Sequence, residues 1–189
     1  MQYGACYNGS GGSGNRARAA SNRKGTGYTT MGYTQALNDT SKLTYAALRA
    51  EQVRQRNNAI KIAPATYASY GAELSPKDGT IELSFINITL HGHHIATLYD
   101  SGALALYTCG HETGLTRSRI APLLRASTFD YGVCIRMRRI YLTTPARYIP
   151  VQYRYEAREI GTGLYIETDG TVYDGGYSNT PLYAPEPQA

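Results

Sequence analysis

The sequence lacks the features that mark a secreted or membrane-spanning protein. Its three cysteines, Cys6, Cys109 and Cys134, are too few and too scattered for a disulfide framework, and they fit free thiols in a reducing cytoplasm. No apolar run approaches the roughly 18 residues that would cross a membrane. The opening MQYGACYNGSGG lacks the charged segment and following apolar stretch of a secretory signal. We therefore expect a cytoplasmic protein with no membrane partner.

Motifs of catalysis are missing as well. The chain has no Gly-x-Ser-x-Gly, no Walker loop, and no Gly-x-Gly-x-x-Gly after a predicted strand. The segment GSGGSG resembles a phosphate loop only in its glycine content, because neither a helix start nor Lys-Ser/Thr follows it. Cys109 and His94 could act as nucleophile and base, with Glu112 close in sequence, but no oxyanion donor or orienting group can be identified. The sequence predicts a protein that is not an enzyme and needs no cofactor.

Tyrosine and arginine are abundant instead. There are 18 tyrosines against two phenylalanines and no tryptophan, and arginine supplies 15 of the 19 basic residues. Arginine suits stacking and bidentate phosphate contacts better than lysine does. The charge is also uneven along the chain: residues 1–60 carry +6 and 113–154 carry +7, whereas 61–112 and 155–189 carry −3 and −5. This asymmetry favours a polyanionic partner.

Composition divides the chain into three parts. Residues 1–33 form a basic, Gly/Ser-rich arm that is expected to be flexible in isolation. Residues 34–176 read as a single α+β domain, and 177–189 as an extended, proline-containing tail. A helix is predicted from a cap at Asp39, Thr40 or Ser41 to about residue 58, and a second, short helix begins in TRSRIAPLLRA with Thr116 or Ser118 as its cap.

Alternating apolar residues predict an antiparallel sheet built on a three-stranded β-meander. The strands lie in GTIELSFINITLH, HIATLYD and ALALYTC, with turns at Gly92-His93 and Ser101-Gly102. Both turns, chosen independently, give one inward face. Further strands are predicted near 132–142 and 149–156, and a hairpin at Asp169-Gly170. The predicted core face holds Ile86, Ile88, Leu90, Ile95, Tyr99, Leu104 and Leu106.

All four histidines lie within 21 positions, together with a cysteine. The predicted register places His91, His94, Cys109 and His111 opposite the core, and imidazole and thiolate are the usual zinc ligands. Strands are about 4.8 Å apart, so the outer ligands would start nearly 10 Å from each other. The spacing also fits neither CxxC nor HExxH. We therefore predict half-buried histidines beside a turn and no metal site.

The stretch LHGHHIA…CGHETGLTRSRIAPLL, about 35 residues, resembles a small uncharacterised domain found in tailed-bacteriophage genomes. The resemblance rests on a Leu-His-Gly turn, then Cys-Gly-x-x-Thr, then a Thr-Arg-x-Arg helix start and a leucine pair. His111 stands where that family commonly has tryptophan. The resemblance implies a phage origin, hence the host cytoplasm with association with the virion left open, and a β-meander followed by a helix. It implies no activity. The matching residues are Leu90, His91, Gly92, Ile95, Ala96, Cys109, Gly110, Thr113, Thr116, Arg117, Arg119, Leu123 and Leu124.

Two functions remain open from the sequence. The first is a non-enzymatic phage accessory protein that binds nucleic acid mainly through arginine–phosphate contacts, with tyrosines as stacking surfaces. The second is a virion structural subunit or an inhibitor that binds a host protein, because tyrosine and arginine are also enriched in protein interfaces. Homo-oligomerisation is left open. The candidate nucleic-acid-binding residues are Arg16, Arg18, Arg23, Lys24, Arg117, Arg119, Arg136, Arg138 and Arg139.

Overall fold

In the computed structural model the chain has an α+β fold in which every strand pair is antiparallel. The structure describes residues 39–75, 79–127, 129, 131–143, 157–175 and 181–183. The predicted arm and the strand predicted near 149–156 lie outside these residues. The described part of the predicted C-terminal tail contributes a short strand. The α+β class, the two helices and the antiparallel sheet are confirmed.

The strands form two sheets. An eight-stranded sheet has the order β1-β2-β3-β4-β5-β9-β10-β11, and a three-stranded sheet has the order β6-β7-β8. The strands are β1 Ala59–Ala63, β2 Thr66–Leu74, β3 Ile81–Leu90, β4 His93–Tyr99, β5 Leu104–Leu106, β6 Gly132–Arg136, β7 Arg139–Thr143, β8 Ala157–Glu159, β9 Leu164–Ile166, β10 Val172–Asp174 and β11 Pro181–Tyr183.

The first helix, α1, spans Tyr45–Gln55 and follows a 3₁₀ turn at Thr40–Leu43. Its cap is Thr44, whose hydroxyl accepts from the Ala47 N–H at 3.3 Å. The predicted caps at 39–41 are therefore wrong, because the extended backbone of Thr44 interrupts the run after the 3₁₀ turn.

The second helix, α2, spans Gly114–Ala126 and begins earlier than predicted. Thr113, not Thr116, is the cap, since its hydroxyl accepts from the Thr116 N–H at 3.1 Å. The Thr116 side chain is buried and donates to the His111 carbonyl at 2.6 Å. Ile120, Leu123 and Leu124 are buried as predicted, so this face of α2 joins the main core.

The turns of the large sheet differ from the predicted ones. Leu90 pairs with His93, so the first turn is His91-Gly92, with φ of 52° and 83°. A bulge beside Ile88 then shifts the register, which places Ile95 and Ala96 together in the core. Leu98, not Tyr99, pairs with Leu104. Because side chains alternate along a strand, Tyr99 lies on the opposite face, against Ala103 and Ala105.

Buried apolar residues in rows across the strands build the core side of the large sheet. One row runs over five strands in direct register, and a second runs beside it. Cross-strand contacts of this kind and burial against the helices stabilise the sheet. Of the predicted core face, all but Tyr99 belong to this core. The rows are Ile86, Leu98, Leu104, Ile166 and Val172, and Ala68, Ile88, Ala96, Leu106 and Leu164.

The segment predicted as one strand near 132–142 is a hairpin. β6 and β7 pair from Gly132 with Thr143 to Arg136 with Arg139, and the chain reverses at Met137-Arg138. Val133 and Leu142, which are paired, pack into or against the core. The hairpin predicted at Asp169-Gly170 is present, and Asp169 accepts from the Thr171 N–H at 2.7 Å.

Candidate nucleic-acid interface

The turn of the β6–β7 hairpin has an unusual backbone for its residue types. Met137 and Arg138 both have positive φ, 45° and 63°, and the flanking Arg136 and Arg139 pair directly. Two consecutive residues in this region form the type I′ turn that suits a two-residue hairpin, where Asn-Gly is preferred. A side chain with a Cβ is disfavoured there by about 1 kcal/mol per residue. The sequence Met-Arg therefore holds a strained turn.

Three arginines and one methionine are displayed at this turn. We call residues 136–139 the basic tip: Arg136, Met137, Arg138 and Arg139 are all exposed. Met137 is 96 % exposed, more than any other exposed large hydrophobic side chain among the described residues, where the next are Val53 at 61 % and Leu74 at 60 %. The strained backbone of Met137 and Arg138 therefore carries exposed side chains, and no burial of these side chains offsets the cost of the strain.

The base of the hairpin is held firmly. The Glu112 carboxylate accepts from the Ile140 N–H at 3.0 Å and from the Thr108 hydroxyl at 3.4 Å. Arg139 donates to Glu159 on β8, and this hydrogen bond raises the pKa of Arg139. Ile140 and Leu142 are buried. The basic tip thus extends from a fixed base, and the charge of Arg139 is partly offset by the Glu159 carboxylate.

The arginines of α2 have different surroundings. Arg117 is exposed near the start of the helix. The Arg119 Nε donates at 3.1 Å to the Thr66 hydroxyl, which donates in turn to the Pro64 carbonyl at 3.1 Å. Partial burial lowers the pKa of Arg119. Arg119 therefore ties α2 to the β1–β2 turn, and Arg117 is the predicted α2 site residue that remains open to a ligand.

The remaining predicted basic residues, Arg16, Arg18, Arg23 and Lys24, lie outside the described residues.

Glu112 connects the arginines of α2 with those of the basic tip. It lies two residues before α2 and accepts a hydrogen bond from the backbone of Ile140, the residue after Arg139. α2 also packs against β6. The start of α2 and the basic tip therefore lie on neighbouring parts of the surface.

The histidines do not form the predicted row. His91 lies in the turn, and His93, which was not predicted as a site residue, stacks on His111 with ring centroids 3.6 Å apart. Cys109 donates through Sγ to the His94 carbonyl at 3.7 Å. Within the described ranges no group of three or more His, Cys, Asp or Glu side chains is placed to hold a metal ion. The position of the first turn is what separates His91 from His94, since His91 lies within the turn and His94 pairs with Thr89 on β3.

His94 lies half-buried on the face of the large sheet that is opposite the main core. Its Nε2 lies 2.9 Å from the Ala96 carbonyl and 2.9 Å from the Thr97 hydroxyl, which donates to Asn87 Oδ1 at 3.0 Å. Its ring lies against Tyr107, with centroids 4.6 Å apart. Burial lowers the pKa of His94. A neutral imidazole in a satisfied hydrogen-bond network fits this environment.

We expect folding stability to decrease between about pH 7.5 and pH 5.5 because of His94. Its folded-state pKa is lowered, whereas the unfolded chain has the ordinary value of about 6.5. The unfolded state therefore binds the proton first, and the contribution of His94 is present above about pH 6.5 and lost below it. Urea unfolding of wild type and His94→Gln at both pH values tests this. A pH dependence that is unchanged in the variant would assign the effect to another group.

Comparisons with protein-family models, with curated proteins and with solved structures found no match. In the part of the chain that the structure describes, no helix combines the length and apolar character needed to cross a membrane. The functional argument therefore depends on the geometry of the surface itself.

Proposed function

We propose that this protein is a non-enzymatic nucleic-acid-binding protein and that the basic tip is its principal contact. The observation that supports this most directly is the cluster of three exposed arginines at a hairpin turn fixed to the body of the fold. In keeping with the resemblance of residues 90–124 to a tailed-phage domain, the proposal includes a role as a phage accessory protein.

Arginine suits this role for chemical reasons. Its planar guanidinium donates two parallel hydrogen bonds to a phosphate and keeps its charge when partly desolvated. A two-stranded ribbon is also narrow enough to enter the major groove of B-DNA, and its turn residues can reach the minor groove. Arg117 is exposed in the first turn of α2, so it adds a cation at the helix start, where free backbone N–H groups favour an anion.

A protein partner is the second candidate function, and one feature favours it. Leu74 and Ile81 pair at the end of the β2–β3 hairpin and are 60 % and 58 % exposed. Exposed apolar side chains next to each other are typical of protein contacts. This pair lies on a different hairpin from the basic tip, so variants of each can be tested separately.

The test is a fluorescence-anisotropy titration with single-stranded and double-stranded oligonucleotides at two salt concentrations. We expect Arg136→Ala/Arg138→Ala to weaken binding by about tenfold or more at low salt. The slope of log affinity against log salt should fall by nearly two, because each phosphate contact contributes about 0.9.

The matched control is Arg54→Ala/Arg125→Ala, which removes the same charge from exposed positions on α1 and α2. It should weaken binding by less than about threefold, as expected for a change in net charge alone. Equal losses in the two double variants would show that the tip is not the contact. No binding at low salt would reject the proposed function. The next step would then be to compare protein partners captured by wild type with those captured by a variant of Leu74 and Ile81.

A further inference from the structure

The apex of the basic tip is apolar, although its neighbours are cationic. Met137 is 96 % exposed and lies between Arg136 and Arg138, whose side chains are also exposed. Phosphate contacts explain the arginines but not the methionine, since a thioether offers a phosphate nothing. A fully solvated methionine in a disfavoured backbone region calls for its own explanation.

We infer that Met137 is a wedge that inserts between base pairs of duplex DNA from the minor groove and kinks the duplex, while the flanking arginines hold the phosphates. This inference rests on the proposed function and specifies its ligand. Minor-groove proteins insert single apolar side chains between base steps in this way and bend the duplex towards the major groove.

The geometry of the turn supports a wedge. Arg136 and Arg139 are directly paired, so the hairpin is at its narrowest at the turn, and only Met137 and Arg138 lie beyond the last pair. The minor groove is about 6 Å wide, which admits these side chains but not the whole ribbon. Both turn residues have a fixed, left-handed backbone. The side chain is therefore presented by a preorganised turn, and little backbone freedom is lost when it inserts.

The anchoring of the hairpin supplies the rigidity that a wedge requires. A side chain that separates stacked bases has to resist their restoring force, so its support cannot bend away. Glu112 holds the backbone of Ile140, next to the tip, and Glu159 holds Arg139 from the neighbouring strand. Leu142 and Ile140 are buried in the body of the protein. The apex is exposed, whereas the base is held by hydrogen bonds and by buried side chains.

An anionic membrane is the other surface that attracts arginines around an apolar residue, and the tip fits it less well. Attachment to a bilayer takes several buried apolar side chains or a lipid chain in addition to basic residues. The tip presents one methionine, and the next apolar residue on β6, Ile135, is only 36 % exposed. One apolar side chain is enough for a single base step.

The probe is a duplex of about 25 base pairs with a central TA step, which is easily unstacked. It carries 2-aminopurine at that step, whose fluorescence rises on unstacking, and a donor and acceptor dye at its ends to report bending. Wild type is expected to raise the 2-aminopurine signal and to shorten the end-to-end distance. Met137→Ala should keep binding within about fivefold and lose both signals, whereas Met137→Leu, which keeps an apolar wedge, should retain them.

Replacement of the A·T pairs around the step by inosine·cytosine pairs identifies the groove. This change alters the major groove and leaves the minor-groove acceptors in place, so binding and bending should persist. Since position 137 is exposed, the variants should fold, and thermal unfolding checks this.

The outcomes separate the two proposals. Duplex binding that depends on Arg136 and Arg138 without unstacking or bending would reject the wedge and leave the proposed function intact. Absence of binding to any oligonucleotide would reject both. Loss of binding on inosine substitution would place the tip in the major groove and overturn the inference. Capture by vesicles of anionic phospholipid, with loss of capture in Met137→Ala and no effect on 2-aminopurine, would assign the tip to a membrane surface instead.

Discussion

Met137→Asn/Arg138→Gly should make the protein more stable and at the same time impair its binding to nucleic acid. Asn-Gly is the preferred pair for a type I′ turn, because glycine adopts positive φ without steric cost and asparagine tolerates it. Since both native residues have positive φ, relief of the strain is expected to raise the free energy of unfolding by about 1–2 kcal/mol. For a domain of this size that corresponds to a melting temperature about 2–8 °C higher.

The same substitution removes one arginine and the exposed methionine from the basic tip. We expect the affinity for duplex DNA to fall by about tenfold or more, since an arginine contact to phosphate or base is worth about 1–3 kcal/mol. Thermal unfolding and anisotropy titration of one preparation measure both effects. Asp169→Asn in the Asp169-Gly170 turn, which already has glycine at positive φ, is the control. A variant that gains stability and keeps its affinity would show that the turn residues serve no ligand.

The opposite signs matter because they distinguish a functional turn from a merely imperfect one. Backbone strain that no packing contact offsets is typical of sites where the strained residues have a function. At the basic tip neither Met137 nor Arg138 packs on the core, so stability alone gives no reason for this pair. Binding to a ligand does give one, because the native residues then contribute free energy in the complex that they do not contribute in the free protein.

The sequence predicted β3, β4, β5 and the β9–β10 hairpin of the large sheet, but it predicted neither β1 and β2 nor the turn that joins β3 to β4. Period-two alternation identified Ile86, Ile88, Leu90 and Leu106 as core residues, because burial of one sheet face imposes that period whatever the turns are. The turns themselves depend on local backbone choices. His91 adopts positive φ beside Gly92, and the bulge at Ile88 then changes the register by one. The undetected bulge therefore placed Tyr99 on the wrong face in the prediction, and the misplaced first turn put His91 beside His94.

The hairpin at 132–143 was missed for a related reason. Turn prediction depends on glycine, asparagine, aspartate and proline, and Arg-Met-Arg-Arg contains none of them. The alternation of Val133, Ile135 and Met137 looked like one continuous strand. In the fold, Val133 lies opposite Leu142 and Ile135 opposite Ile140, so the apolar residues are symmetric about Met137-Arg138. That symmetry is a signal that could have revealed the reversal, and with it the basic tip.

The hydrogen bond from Arg119 to Thr66 has no comparable signal in the sequence, since the two residues are 53 positions apart.

Glu112→Ala should lower the free energy of unfolding by about 2 kcal/mol. A hydrogen bond to a charged acceptor contributes about 1.5–3 kcal/mol, and Glu112 accepts from the Ile140 N–H and from the Thr108 hydroxyl. Glu112→Gln keeps an acceptor oxygen without the charge, so it should lose about half as much. Urea unfolding of the three proteins at pH 7 measures both differences. Equal stability of the alanine variant and wild type would mean that water replaces the carboxylate and that the hairpin is not held from this side.

The same pair of variants tests whether the orientation of the basic tip contributes to binding. Both remove one negative charge close to Arg139, and Coulomb attraction alone predicts tighter binding to a polyanion for each. Glu112→Gln should follow that expectation, because the Ile140 N–H still has its acceptor. Glu112→Ala should instead bind several-fold more weakly than Glu112→Gln, since the base of the hairpin is released and the tip must be ordered again when it binds. Two variants of identical charge that differ in affinity would show that the phosphate contacts depend on a fixed hairpin. Equal affinities of Glu112→Ala and Glu112→Gln would show that binding depends on net charge and not on how the hairpin is held.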